Sequence, residues 1–110
     1  MINVIYKEYK NGAVSVRIKG HAGAAEKGKD LVCAGVSALA YTLAQNVVDF
    51  SDKLKSKPTI ILNEGNANIR FTPQNKYRTV VLLITRAILR GIEVIEANHK
   101  KNVKVIVTKK

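Results

Sequence analysis

Two long stretches of this chain repeat apolar residues at helical intervals, and much of the remainder alternates apolar and polar residues over short distances. The helical stretches are predicted over about residues 31–52 and 75–98, and each needs an apolar surface to cover one of its faces. A sheet provides that surface, because alternate side chains of a strand point to the same side. We therefore predict an α+β fold of two layers, in which two long helices cover a mostly antiparallel sheet.

Turn residues separate the alternating stretches and set the predicted order of elements. Asn11-Gly12 joins the first two stretches, and such a pair accepts the positive φ angles of a tight hairpin. A second hairpin turn is predicted at Asn63-Glu64-Gly65-Asn66, between Pro58 and Pro73. Together with the two helices, the strands give the order ββαββαβ. The predicted strands cover residues 2–8, 14–18, 59–62, 68–72 and 103–107.

Size and cysteine content suit one domain in a reducing compartment. A chain of 110 residues with 46% hydrophobic residues can bury one core, so residues 1–110 are predicted to form a single domain. The one cysteine excludes an internal disulfide, and no stretch resembles a signal peptide, which favours a cytoplasmic protein. The longest apolar run, residues 80–84, is too short to cross a bilayer, so no membrane association is expected.

The chain is strongly basic. Its 19 Lys and Arg residues against 8 Asp and Glu residues give a net charge of +11, which attracts polyanions such as RNA. The lysines are scattered, and aromatic residues make up only 5% of the chain, so no pattern for base stacking accompanies the charge. A solvated basic surface and a weak association with RNA or the ribosome therefore both stay open.

The second helical stretch is apolar nearly all round at residues 80–84. A helix on the outside of a two-layer domain should keep one polar face. The surplus predicts burial on two sides, against the sheet and against a second subunit, and hence a homodimer.

The only cysteine lies at the start of the first predicted helix, twelve residues after His21. Asp30 is predicted to cap that helix, so Cys33 falls in the first turn, where unpaired amides and the helix dipole favour a thiolate. His21 would act as base and then protonate the leaving amine, and the amide of Val32 or Cys33 would donate to the oxyanion. A catalytic Cys-His pair is thus the functional interpretation. The alternative is a small buried thiol and a polar loop histidine.

Two neighbours of this pair have two interpretations each. Ser37 follows Cys33 by one helical turn, so its hydroxyl contacts either substrate or His21, or else bonds back to the Cys33 carbonyl. Asp30 orients His21 as the third group of a triad, or only caps the helix. The other histidine, His99, is predicted to be exposed beyond the second helix.

The same glycine-rich stretch imitates a nucleotide-binding loop without completing it. Gly23, Gly28 and Lys29 have P-loop spacing, but Asp30 stands where a Ser or Thr must bind magnesium. One cysteine and two separated histidines offer no spacing typical of a metal site. We expect neither a metal nor a cofactor.

One block of the chain consists of Gly20-His21-Ala22-Gly23, Gly28, Asp30, Val32-Cys33-Ala34 and Val36-Ser37-Ala38-Leu39. This block resembles a known bacterial family, the ribosomal-processing cysteine proteases called Prp. Weaker agreement continues through Gly91-Ile92-Glu93 and Asn102-Val103-Lys104-Val105.

The resemblance implies a small homodimeric α+β peptidase that works without metal. Its expected substrate is the precursor of large-subunit ribosomal protein L twenty-seven, from which it would remove a short N-terminal extension. By the motif, His21 and Cys33 are the catalytic dyad, and Asp30 and Ser37 match supporting positions. The resemblance also places three glycines in a mobile loop that orders over the substrate; they are Gly20, Gly23 and Gly28.

Two functions of different kinds therefore compete. The first is a cysteine endopeptidase that acts on a ribosomal protein precursor. The second is a non-enzymatic binding protein of RNA or the ribosome, attracted by the net charge of +11, in which Cys33 is merely buried.

Overall fold

The structure, a computed structural model, describes residues 1–23 and 30–109. Within them, five strands form one sheet and two long helices lie over it, in the order ββαββαβ that the sequence predicts. The α+β prediction is confirmed. The elements are β1 Ile2–Glu8, β2 Val14–Lys19, α1 Leu31–Asp49, β3 Thr59–Asn63, β4 Asn66–Phe71, α2 Arg78–Asn98 and β5 Val103–Lys109, with short 3-10 turns at Ser51–Lys53 and Asn75–Tyr77.

The strands lie in the order β3-β4-β2-β1-β5 across the sheet. The pairs β1–β2, β2–β4 and β3–β4 are antiparallel. Only the described pair β1–β5 is parallel, because α2 carries the chain back across the sheet before β5 begins. The prediction of a mostly antiparallel sheet is therefore confirmed.

The core lies between the helices and one face of the sheet. Val4 and Tyr6 of β1 are fully buried, as is Ile69 of β4. Val36 and Val47, on the inner side of α1, are buried against this face. The alternate apolar side chains of the strands thus pack against the apolar side of α1 and form a single apolar layer.

The helices approach each other closely at Gly91. A Cβ atom on this residue would lie 3.1 Å from Cδ1 of Leu39 on α1. Glycine inside a helix costs about 1 kcal/mol relative to alanine. Here it removes the side chain that would otherwise push the two helices apart.

Both helices are shorter than their predicted spans. α1 ends at Asp49 instead of residue 52, because the buried Phe50 caps it with its N–H to Asn46 O at 2.9 Å. The Phe50 ring packs edge-on to Phe71 at 5.8 Å, which turns the chain towards the sheet. α2 begins at Arg78 rather than at residue 75, since the first three residues form a 3-10 turn.

Both predicted hairpins form, with different turns from those expected. At the first, only Gly12 has a positive φ, +92°, and Tyr9 O accepts from the Gly12 N–H at 3.0 Å. Asn11 stays at negative φ and accepts from the Ala13 N–H through Oδ1, so the prediction of two positive angles is wrong. At the second, the strands continue to Asn63 and Asn66, which pair with each other and leave a two-residue turn.

Among the described helices, α1 alone is long and apolar enough to cross a membrane, judged by length and composition only. The sequence-based expectation considered uninterrupted apolar runs and did not recognise this property. In the structure, α1 buries one side against the sheet, with Val32, Val36, Ala40, Leu43, Ala44 and Val47 in the core. This is the position of a core helix.

Candidate active site

A cavity of about 680 Å³ opens at one end of the sheet, where four parts of the chain meet. These parts are the adjoining ends of β1 and β2, the segment 20–23 that follows β2, the first three turns of α1, and the turn between β3 and β4 with the strand residues beside it. His21, Cys33 and Ser37 all line this cavity. The fold therefore brings these three predicted site residues to one space.

Cys33 is the third residue of α1 and half-buried at the cavity. The helix begins at Leu31 because Asp30 caps it, and the Asp30 Oδ1 accepts from the Cys33 N–H at 2.9 Å. The predicted capping role of Asp30 is confirmed. Because this bond occupies the Cys33 amide, the amide of Val32 is left as the candidate donor to an oxyanion.

His21 is exposed, but the backbone on both sides of it is held. Before it, Gly20 has φ +98° and donates its N–H to Gly65 O at 3.0 Å. After it, Ala22 is buried, and its carbonyl accepts from Asn102 Nδ2 at 2.9 Å. These two bonds fix the segment that carries the imidazole at the mouth of the cavity.

Gly20 also permits a close approach of two chain segments. A Cβ atom at this position would lie 2.3 Å from the carbonyl oxygen of Met1. Such a contact with backbone cannot be relieved by rotating a side chain, and a positive φ disfavours any side chain there as well. Gly20 is therefore required by the local fold.

The imidazole of His21 lies against Gly65 in the turn between β3 and β4. Gly65 has φ +70°, and a Cβ atom on it would lie 2.9 Å from His21 Nε2. Because Gly65 has no side chain, the His21 ring can occupy this position. The turn that the sequence predicts only as a hairpin is part of the wall of the cavity.

Ser37 is exposed on the cavity side of α1, one turn after Cys33. Thr42 on the same helix bonds back to Ala38 O at 2.7 Å, but within the described chain the Ser37 hydroxyl makes no such bond to Cys33. Ser37 thus lines the cavity, and its role towards substrate or His21 stays a prediction.

The glycines of the predicted loop have different surroundings. Gly23 has φ +69° and lines the cavity, and a Cβ on it would meet nothing within 4 Å. Gly28 lies outside the described residues, as does the rest of the predicted mobile loop from 24 to 29, so the expectation of mobility stays a prediction.

Two residues that position His21 were missed as site residues. Asn102 precedes β5, and only the parallel pairing of β5 with β1 brings it beside Ala22. Gly65 carries an ordinary hairpin signal, and nothing in the sequence indicates that an imidazole lies on it. An exposed aromatic residue beside the cavity, Tyr41, also went unrecognised; its side chain is 61% exposed.

Comparison with known protein sequences points to one family. The sequence model of the family described as cysteine protease Prp matches residues 1–104. The ribosomal processing cysteine protease Prp of Bacillus subtilis (strain 168) is 29% identical over 105 residues, which cover 92% of this chain and 91% of the relative.

Solved structures give the same result. The essential ribosomal processing protease Prp from S. aureus, in complex with a covalently linked product peptide, superimposes with a TM-score of 0.79 at 27% identity, covering 97% of this chain and 99% of that one. SMU.848 from Streptococcus mutans has a TM-score of 0.70 at 26% identity, covering 100% and 96%. Since the family model and the fold both match over nearly the whole chain, this chain is a cysteine protease and belongs to the Prp family.

Proposed function

We propose that this protein is an endopeptidase that uses Cys33 as nucleophile and His21 as general base and acid. Its proposed substrate is the precursor of large-subunit ribosomal protein L twenty-seven, from which it removes a short N-terminal extension. The observation that carries the proposal is that the only cysteine, at the start of α1, and an anchored histidine line one cavity.

The proposed reaction follows from the placement of the two groups. The thiolate of Cys33 attacks the carbonyl carbon of the scissile bond, and the oxyanion that forms accepts a hydrogen bond from the Val32 amide. His21 gives its proton to the leaving amine as the C–N bond breaks, which leaves an acyl-thioester. His21 then takes a proton from water, the hydroxide attacks the thioester, and the Cys33 thiolate is released.

A peptide is the substrate class that the cavity supports best. Its walls combine apolar side chains from the sheet, such as Ile18 and Leu62, with the exposed ring of Tyr41. A cleft with apolar walls and a few converging polar groups is typical of ligand sites. The S. aureus relative is described with a covalently linked product peptide, which is in keeping with nucleophilic catalysis.

The remaining predicted site residues take supporting roles in this proposal. Ser37 offers its hydroxyl to the peptide, and Asp30 holds the first turn of α1. Gly20 fixes the start of the segment that carries His21, while Gly23 and Gly28 belong to the loop proposed to close over the substrate. No metal or cofactor takes part in the proposed steps.

The proposal extends to the whole molecule. We propose one domain over residues 1–110, acting as a homodimer in the cytoplasm, where a thiol stays reduced. The competing interpretation as a non-enzymatic binding protein is set aside by membership of the protease family.

The two histidines allow a matched test of the proposed dyad. His21→Ala lacks the proposed base, whereas His99→Ala changes the other histidine, which is exposed and lies outside the cavity. With a peptide that spans the precursor cleavage site, we expect Cys33→Ala and His21→Ala to lose at least about a hundredfold in kcat/KM. We expect His99→Ala to cleave like the wild type.

The double variant Cys33→Ala/His21→Ala should be no worse than either single variant, because the two residues act as a unit. Circular dichroism spectra should match those of the wild type. Cleavage at the wild-type rate by Cys33→Ala would overturn the proposed nucleophile. Cleavage of other peptides with no cleavage of the precursor sequence would overturn the proposed substrate but leave the dyad.

A further inference from the structure

The helices leave one face of the sheet uncovered, and this open face has a regular composition. Cross-strand pairing places its side chains in three rows that run across all five strands. The first row is Asn63, Asn66, Lys19, Asn3 and Lys104; the second is Ile61, Asn68, Arg17, Ile5 and Ile106; the third is Thr59, Arg70, Ser15, Lys7 and Thr108.

Every charged residue of the open face is a cation. The three rows hold five of them and no carboxylate; they are Lys7, Arg17, Lys19, Arg70 and Lys104. The described acidic residues lie elsewhere: Glu8 on the core side of β1, Glu64 in the hairpin turn, Asp30 at the start of α1, Asp49 and Asp52 near its end, and Glu93 and Glu96 on α2. The open face thus carries a charge of +5 that is not mixed with acidic residues, whereas the other 14 Lys and Arg residues share the rest of the chain with all 8 Asp and Glu residues.

Within the part of the chain that the structure describes, none of these five cations is paired with a carboxylate. Arg70 instead stacks over the ring of Tyr9, with Cζ 4.7 Å from the ring centroid. A hydrogen bond with Ser15, and then the positive charges of Lys7 and Arg70, lower the pKa of the Tyr9 hydroxyl. The face therefore carries a positive potential that the protein itself does not neutralise.

Three isoleucines lie along the middle row, between the rows that carry the lysines. Ile61 and Ile106 are 43% and 41% exposed, which leaves apolar surface for a partner to cover. A second copy of this chain does not suit the face. A twofold contact would bring the same five cations against themselves, and like charges opposite each other repel.

We propose that the open face binds the phosphate backbone of RNA. Unpaired Lys and Arg side chains at fixed positions are what backbone contacts require, and they carry no base preference by themselves. The first and third rows are four residues apart along a strand, or about 13 Å, so the cations cover an area of a few nucleotides. The apolar middle row and Tyr9 give the sugars and bases a surface to lie on.

The peptide cavity lies mainly on the helix side of the sheet, and the two sites meet at Asn63 and Asn66, which belong to the first row and also line the cavity. The strand residues that line the cavity include Ile2, Ile18, Leu62 and Ala67, all of which point towards the helices. None of the five cations of the open face is among the residues that line the cavity. The proposal does not depend on the identity of the peptide substrate.

Matched triple substitutions test the proposal with the full-length protein. Lys7→Gln/Arg17→Gln/Lys104→Gln removes cations from all three rows, and Lys55→Gln/Lys57→Gln/Lys100→Gln removes the same charge from exposed sites off the sheet face. The probe is a fluorescein-labelled twelve-nucleotide oligouridine, followed by fluorescence anisotropy at several salt concentrations. Circular dichroism and thermal melting check that both variants fold.

We expect the open-face triple to weaken binding at least about tenfold and to make the slope of log K against log salt shallower by about two. The control triple should change affinity less than about twofold. Equal losses in both triples would show attraction by net charge alone and overturn the proposal, as would a wild-type protein that does not bind.

Vesicles of phosphatidylcholine and phosphatidylserine test whether the open face instead binds an anionic membrane. Tighter binding to these vesicles than to RNA, lost in the open-face triple, would assign the face to a membrane and overturn the RNA proposal. If the triple does not fold, the single variants Arg17→Gln and Lys55→Gln carry the same comparison.

Discussion

At the scale of single residues, the place of the imidazole depends on a glycine that has no chemistry of its own. Gly65 leaves room for His21 where a Cβ atom would lie 2.9 Å from Nε2. The side chain of His21 is free to rotate away, so a substitution at Gly65 should displace the base instead of disrupting the core. Activity and stability are therefore expected to separate at this position.

We predict that Gly65→Ala lowers kcat/KM at least about tenfold, because a displaced imidazole transfers protons poorly. The variant also places alanine at φ +70°, which costs about 1 kcal/mol of stability. Gly12→Ala is the matched control, since it has φ +92° in a hairpin outside the cavity lining. It should lose similar stability and keep its activity; equal activity losses in both would contradict the role of Gly65.

At the scale of elements, Asp30 connects the start of α1 to the site. Its carboxylate accepts from the Cys33 amide, so it both caps the helix and holds the residue that carries the thiol. We predict that Asp30→Ala costs about 1 kcal/mol, whereas Asp30→Asn retains the cap and nearly all the stability. Chemical denaturation measures the stability of both variants, and peptide cleavage measures their activity.

The same pair of variants separates the two predicted roles of Asp30. If Asp30→Asn cleaves like the wild type, the residue acts as a cap alone. A large fall in kcat with unchanged stability would instead show that the negative charge acts on His21. Capping is thus separated from catalysis by one substitution that keeps the hydrogen-bond acceptor.

A second connection between elements lies in the core at the end of β1. Arg86 of α2 binds Glu8 through two nitrogens, with Nη2 to Oε1 at 2.7 Å, and the Tyr6 hydroxyl donates to Oε2 at 2.6 Å. Burial by itself would raise the pKa of Glu8, but the hydrogen bonds from Tyr6 and Arg86 outweigh it and lower that pKa. The hydroxyl of Tyr6 is shifted the other way, because burial and then the hydrogen bond to Glu8 raise its pKa.

Because the pKa of Glu8 is lower in the folded protein, its contribution is present above the ordinary value of 4.5 and is lost as the pH falls below it. We predict that Glu8→Gln lowers the Tm clearly at pH 7 and much less at pH 3. The control Glu93→Gln removes only a surface pair with Arg90 at 3.8 Å, so its Tm should hardly change at either pH. A loss of Tm in Glu8→Gln that is equal at both pH values would contradict this linkage.

At the scale of the whole molecule, the sequence predicts the individual helices, strands and turns but not the tertiary contacts between them. Alternation, the Asp30 cap and the turn glycines predict each element because these signals act over a few residues. Neighbouring strands such as β1 and β5 are separated by most of the chain, and nothing local records their pairing. Hence the two residues of the proposed dyad could be named from the sequence, in a loop and at the start of a helix, but the contacts of Gly65 with His21 and of Asn102 with Ala22 could not.

The homodimer prediction also concerns the whole molecule. It is based on the apolar residues of α2, some of which are buried in the core and some exposed. Val81 and Leu82 are buried in the core, whereas Val80 and Leu83 are 44% and 68% exposed. The exposed residues continue at helical intervals through Ala87 to Val94 on the outer side of the helix. This exposed apolar stripe is the surface on which the homodimer prediction rests.

We predict that Leu83→Glu converts a dimer into a monomer, because a carboxylate placed at the centre of an apolar contact loses its water. Ala97→Glu introduces the same charge at an exposed site near the end of α2 and should leave the dimer intact. Sedimentation equilibrium at micromolar concentration should give twice the chain mass of 12.1 kDa for the wild type and the control, and the single mass for Leu83→Glu. A wild-type protein that sediments as a monomer would show that the exposed apolar residues of α2 do not form a dimer interface.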